Sequence, residues 1–396
     1  MNRRDFLGGL AAALPLKMTD LRQQYHRDLF QDWLPFMERY VVDAQYGGFL
    51  CDTGIDGTHV DEFKNPLYEG RGVWVYSFLY SHLAKDPKYL DVARRSVELL
   101  RKSDPGDEKL WPTKLNRDGS PAAPNGIALP SDLAIAEGLA AYAVASKTQE
   151  PLDHAKRLLT KCVARYDRPD YNPQLGRTFL GPTAPLLEHP RNIGMWMLLL
   201  RCGQATGDRK LVDRCIEQVI ERHWNPRIRL NNEILPATGV YAEFVYPGHT
   251  FEITWMLLEE ALSRRDDTLF KLVADRFQRH TEVAWDPVYG GFFHSCQNID
   301  ENRWILNKVL WAQEEVLITA LLILQHTGAT WARDLFTKTN DYVRSKYPLT
   351  AHGSPLWMYA TDRQATFEAF EKMPQRIENY HHPRHLMLNL LRLQKM

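Results

Sequence analysis

Two copies of one short phrase organise the reading of this chain: Asp43-Ala44-Gln45-Tyr46-Gly47-Gly48-Phe49 and Asp286-Pro287-Val288-Tyr289-Gly290-Gly291-Phe292. Each follows an amphipathic helical stretch, and its paired glycines permit a tight turn before the next element. Working outward, apolar residues recur at helical spacing from Leu21 onward, while alternating β-branched runs are missing. Strongly apolar helices are expected at Arg71–Leu83, Ser131–Ala145, Asn192–Leu200, His249–Leu262, Leu310–Leu324 and Pro383–Leu393. Their starts recur at about 60 residues, the last interval being longer, which is the mark of a repeated supersecondary unit. More polar helices lie between them, for example Tyr89–Arg101, Asp153–Arg165 and Ala332–Lys346. Six pairs stacked in a line would leave a concave face open and need polar caps. A ring instead buries the more apolar member of each pair on all sides. The expected fold is therefore all-α, an (α/α)6 barrel: a closed toroid of six helix hairpins. It forms one domain over residues 19–396, with its pocket at one end of the ring.

The chain has 396 residues, with 49 Lys+Arg against 49 Asp+Glu. Zero formal charge supplies no basic field for a phosphate backbone or an anionic membrane surface, so neither nucleic acid nor membrane is an expected partner. Cys51, Cys162, Cys202, Cys215 and Cys296 form an odd, scattered set without CxxC pairs, which suggests reduced core residues. At the N-terminus, residues 1–18 begin with Asn2-Arg3-Arg4-Asp5-Phe6-Leu7 and an apolar run to Leu16. That pattern resembles a twin-arginine signal, which would place the protein in the periplasm. Lys17 closes the run at once, which fits a disordered basic start on a cytoplasmic protein. Both readings stay open.

Several chemistries lose support because their local motifs are missing: no GxGxxG follows a strand, and GxxxxGK[ST], HExxH and GxSxG do not occur. What remains is a set of polar residues at the starts of the apolar helices. Arg71 lies between two glycines in Glu69-Gly70-Arg71-Gly72. It is either paired with Glu69 or another carboxylate, or a fixed cation facing an oxyanion. His249 and Glu252 are three apart, on one helix face, where the carboxylate can orient the ring or simply cap the helix. His381 and His385 are four apart and could be read as metal ligands. Pro383 in the first turn would leave His381 outside the helix, and no third ligand at a recognisable spacing is evident, so no metal is expected. Trp311 with Glu314 and Glu315 offers a stacking surface beside paired carboxylates. Such a set suits a sugar, and it would also suit a glycosidase.

At these residues the chain resembles the N-acylglucosamine 2-epimerase family. The likeness is carried in order by Tyr46-Gly47-Gly48-Phe49, Gly70-Arg71-Gly72-Val73-Trp74, Gly248-His249-Thr250-Phe251-Glu252, Trp311-Ala312-Gln313-Glu314-Glu315 and Tyr380-His381-His382-Pro383-Arg384. The resemblance implies an (α/α)6 barrel, a sugar substrate, no metal or redox cofactor, and a homodimer. It implies proton transfer at C2 of an open-chain sugar through an enediolate. His249 and His381 would be the acid/base pair, with Arg71 on the oxyanion and Glu252 supporting His249. The His381-His382 doublet allows that assignment to slip by one. Asn192, Trp196, Trp311, Glu314, Glu315 and His382 are the expected substrate contacts. Trp196 stands where cellobiose 2-epimerases carry an additional His, which tilts the reading towards N-acylglucosamine and N-acylmannosamine as substrates. Alternatives are a mannose or glucose 2-epimerase or an aldose-ketose isomerase. From other classes come an α-toroid glycoside hydrolase and a non-catalytic sugar-binding module.

Overall fold

Prolines and short polar side chains set where the helices begin. Pro66, Pro87, Pro130, Pro151 and Pro247 occupy first turns, where a missing N–H costs nothing. Asn65, Asp86, Asp208 and Asp266 accept a backbone N–H of the turn they precede. In the computed structural model, which describes residues 18–364 and 376–396, twelve principal helices result. The Arg3-Arg4 segment lies outside the described residues.

The six apolar helices are α2 (Pro66–His82), α4 (Pro130–Ser146), α6 (Ile193–Thr206), α8 (Pro247–Arg264), α10 (Leu310–Thr327) and α12 (His381–Leu393). The outer set is α1 (Met18–Arg27, continued by wider turns to Val41), α3 (Pro87–Ser103), α5 (Glu150–Tyr166), α7 (Arg209–Glu217, continued through Gln218–Arg222), α9 (Asp267–Ala284) and α11 (Thr330–Lys346). Each apolar helix packs on the next, and α12 closes on α2. The sixth hairpin joins the first helix of the chain to the last, α1 against α12. The chain is thus an (α/α)6 barrel, and in α10 every residue from Leu310 to Leu324 is buried, as a helix with neighbours all round requires. All five cysteines are free and buried. Among the described residues no helix is long and apolar enough to cross a membrane. Strands are confined to two-stranded antiparallel ribbons in the connections.

The repeated phrase proves to be a clamp. Gly47, Gly48, Gly290 and Gly291 all have φ between +75° and +79°, a region that L side chains rarely adopt. In the first copy the Lys64 ammonium reaches Asp43 (3.0 Å) and the carbonyls of Gly47 and Arg117. In the second, Lys308 reaches Asp286 (2.9 Å) and the carbonyls of Gly290 and Arg363. Phe49 N–H donates to Glu69 of α2 as Phe292 N–H donates to Gln313 of α10. Gln313 is therefore a strut of the fold. Because Lys308 and Asp286 have no solvent exposure, Lys308→Met would leave the buried carboxylate with only the more distant Arg363 guanidinium, at 3.3 Å, as cationic partner. Urea unfolding is expected to show a loss of about 3–5 kcal/mol.

The Gly-Arg-Gly segment has a packing reason as well. A Cβ on Gly70 would meet the backbone of Ala134 on α4 at 2.4 Å, and one on Gly72 would overlap the Phe49 ring. The glycines let α2 and α4 touch backbone to backbone and seat the turn, which fixes Arg71 between them.

Candidate active site

The topology separates the two ends of the ring. Each apolar helix from α2 to α10 returns to its outer partner through a short connection, whereas long connections lead from outer helices into the next inner N-terminus. The inner N-termini, with their unpaired N–H groups and positive dipole ends, therefore meet under the long loops. Arg71, Asn192, His249, Trp311 and His381 all come from this end.

His249, near the start of α8, is one fifth exposed and its Nδ1 lies 2.8 Å from Glu233, a carboxylate with no exposure. Asn192 donates to the same oxygen at 3.0 Å. With Nδ1–H donated to Glu233, Nε2 is the nitrogen left for a substrate. Burial pulls the imidazole pKa down, but the Glu233 charge and hydrogen bond outweigh it and hold His249 above the ordinary 6.5.

His381 sits on a different support. Its Nδ1 lies 3.0 Å from Glu315 Oε1, and Glu315 also accepts from Trp255 Nε1 (2.7 Å) and from Arg384 (2.6 Å). Arg384 bridges Glu315 to Glu252 at 2.5 Å and has no exposure. Arg384 also lies 3.0 Å from His381 Nδ1, but an arginine has only N–H donors and two carboxylates to receive them, so we assign the Nδ1 proton to the bond with Glu315, which leaves Nε2 for a substrate. Desolvation dominates here and lowers the His381 pKa to about 4, although Glu252 acts in the other direction. The two imidazoles are thus pushed in opposite directions, His249 towards its protonated form and His381 towards its neutral form. Both lie against Trp311, with ring centroids 5.9 Å (His249) and 5.0 Å (His381) from it.

Arg71 is paired with a carboxylate, but with Glu378 (3.3 Å), not Glu69. Its guanidinium lies over the Tyr380 ring, and Glu378 also receives the backbone N–H groups of Tyr380 and His381. The cation is tied to the loop that positions His381.

Five expectations need correction. Glu252 does not bond His249; it binds Arg384, 3.9 Å from His381. His381 is not outside the helix but is its first residue, since Pro383 at the third position interrupts no intrahelical bond. Asn192 is spent on Glu233. Trp196 packs edge-on against Tyr166 of α5 and under Arg214 of α7, on the outer side of α6. Gly194 is the residue of that stretch that meets His249, where a Cβ would come within 2.6 Å of the ring. Glu315 has no exposure and holds His381 from behind. The pair His381 and His385 does not converge on one point either: His385 lies 3.3 Å from Glu314, His381 beside Glu315. Arg384 fills the space among Glu252, Glu315 and His381. Glu314, His382 and His385 are close enough to share an ion, yet Glu314 and His382 are already in direct hydrogen-bond contact.

A cavity opens beside Trp311 and His381, with about 530 Å³ of empty space when the open solvent at its mouth is counted. Trp311, Glu314, His381 and His382 line it together with the apolar Trp33, Ile55, Leu356 and Trp357; His249 and Arg71 are not among its lining residues. Glu233, Arg384, Glu378 and Trp357 were not singled out by the sequence as site residues. Arg384 at least followed His381 in a quoted motif; the loop carboxylates carried no periodic signal.

A closed ring of helix hairpins thus presents two carboxylate-backed imidazoles over a tryptophan, groups of the kind that take and return protons. The profile of the N-acylglucosamine 2-epimerase family (GlcNAc 2-epimerase) matches residues 47–383, and the chain belongs to this family. It is an isomerase, a sugar 2-epimerase in the family's sense. The N-acylglucosamine 2-epimerase of Mus musculus is 26% identical over 342 residues, 78% of this chain and 77% of that protein. The Homo sapiens enzyme is 26% identical over 336 residues, covering 78% and 75%. Among solved structures, a sugar epimerase from a ruminal bacterium superposes with TM-score 0.75 at 18% identity, covering 93% of this chain and 98% of that one. Cellobiose 2-epimerase from Bacillus thermoamylovorans gives 0.76 at 15%, covering 94% and 99%. These structural likenesses speak for the fold.

Proposed function

We propose that the protein interconverts an N-acyl-D-glucosamine and its N-acyl-D-mannosamine epimer by moving the proton at C2. The observation that carries this is the geometry of two imidazoles, each backed by a buried carboxylate, that lie against the same tryptophan. In the open-chain sugar the C2–H lies beside an aldehyde. Neutral His381 takes that proton at Nε2, the electron pair moves onto O1, and charged His249 returns a proton to C2 from the opposite face. The developing O1 anion is stabilised by Arg71 and the nearby helix N-termini. Trp311 supplies the stacking surface. The apolar wall of Trp33, Ile55, Leu356 and Trp357 suits an acyl substituent better than a free hydroxyl. Glycosidase chemistry is disfavoured because Glu314 and Glu315, the paired carboxylates, are buried behind histidines.

Proton NMR in D2O with N-acetylmannosamine, mannose and cellobiose tests the substrate. The C2 signal of N-acetylmannosamine is expected to vanish as the gluco epimer grows. Faster turnover of mannose, new ketose signals, or splitting of cellobiose would each overturn the assignment.

The opposed affinities also fix a pH profile. In the direction where His381 is the base, kcat/KM falls below about pH 4, as His381 becomes protonated. It falls again at alkaline pH as His249 loses its proton, above 6.5. Glu233→Gln removes what holds the His249 proton against burial, so the alkaline limb is expected to move to lower pH. A limb that stays in place would contradict the role given to Glu233.

A further inference from the structure

Taking a proton from C2 presupposes a free aldehyde, yet aldoses in water are almost entirely closed rings. Opening the ring moves a proton from the hydroxyl on C1 to the ring oxygen O5, and neither His249 nor His381 can do this while poised at C2. His381 lines the cavity, and a further imidazole faces it beside His381. His382 lines it, its ring tilted against Trp357 with centroids 4.8 Å apart, with its Nδ1 hydrogen-bonded to Glu314. Glu314 has almost no exposure. Burial works against its charge, but His382 and His385 outweigh burial and lower its pKa to about 2, so it stands as a carboxylate. Behind it His385 lies 3.3 Å away, held by the Tyr25 hydroxyl at 2.8 Å, which in turn receives Asn389 at 3.3 Å. This buried chain is separate from the Glu233 and Glu315 supports, and the C2 chemistry leaves it unused.

Resting on the epimerase reading, we propose that His382, oriented by Glu314, opens and closes the sugar ring. With Nδ1–H given to Glu314, Nε2 takes the proton of the C1 hydroxyl. The C1–O5 bond breaks as the C1 carbonyl forms, and the same imidazolium delivers the proton to O5. One proton is carried between two oxygens bonded to the same carbon, and nothing is consumed. The Glu314 carboxylate stabilises the transient imidazolium. His382 is then a catalytic residue for ring opening and Glu314 its positioning residue.

Ring opening alone exchanges α and β anomers, so it can be read apart from epimerisation. Magnetisation exchange between the two anomeric protons of N-acetylmannosamine reports it, and C2–H loss in D2O reports the other step. The native protein is expected to accelerate anomer exchange above the buffer rate. His382→Gln and His382→Phe, each checked for unchanged thermal unfolding, are expected to lower that acceleration at least tenfold. Glu314→Gln is expected to shift its pH dependence. Native-level anomer exchange in either folded His382 variant overturns the proposal. So does a native protein that loses C2–H without accelerating anomer exchange. A native protein that exchanges anomers but never C2–H leaves ring opening intact and sinks the epimerase reading instead.

Discussion

Asparagine at His249 or at His381 is expected to reduce sugar interconversion by about 10²–10⁴-fold, the range a positioned acid or base contributes. Asn keeps much of the ring's shape and a hydrogen bond to the carboxylate behind it, so Glu233 and Glu315 are not left wholly unpaired. Epimerisation needs removal on one face of C2 and delivery on the other, so either loss alone breaks the cycle. Steady-state rates with N-acetylmannosamine check this. Full turnover in either variant, with Glu252→Gln or Glu315→Gln inactive, would indicate chemistry run by carboxylates.

The largest stability effect is expected at Arg384. The residue has no exposure and binds Glu252 and Glu315 together, with its guanidinium 5.3 Å from the Trp255 ring centroid. Arg384→Met fills similar space but leaves two buried carboxylates facing each other. A buried pair broken on one side costs about 3–5 kcal/mol, and denaturant unfolding should register at least that. Turnover should fall as well, because Glu315 would lose the partner that holds it against His381. The double change Arg384→Met with Glu252→Gln is expected to recover part of the stability, since one stranded charge is gone. Recovery of stability without recovery of activity would separate the two roles of the cluster.

The ring itself was legible because periodicity and repetition report on burial, and burial follows the fold. The apolar helices fall where their spacing puts them, and the doubled Tyr-x-x-Phe turn marks two equivalent clamps. Lys64 and Lys308, 21 and 22 residues after the aspartate that opens each copy, could have been found by carrying the comparison further along both copies. His249 and His381 were visible as polar residues at apolar helix starts. Their supports were not. Glu233 sits in a loop between Asn232 and Ile234, 16 residues from its histidine, where no period links the two. Glu252 shares a face with His249, but a guanidinium from a helix 132 residues later claims it; tertiary pairing overrode local spacing. Trp196 was misplaced by rotation: two residues along a helix turn a side chain by about 200°, so if Gly194 faces His249, Trp196 faces the outer ring.

The central claim is that His249 and His381 act from opposite faces of C2. The most direct test is proton washout in D2O by His249→Asn and His381→Asn, each given the gluco and the manno epimer separately. Each variant is expected to exchange the C2 proton of one epimer only, the epimer that faces its remaining imidazole, and the two variants to choose opposite epimers without converting either. Exchange of the same epimer by both variants, or of both epimers by one, would show that a single group serves both faces and would contradict the account.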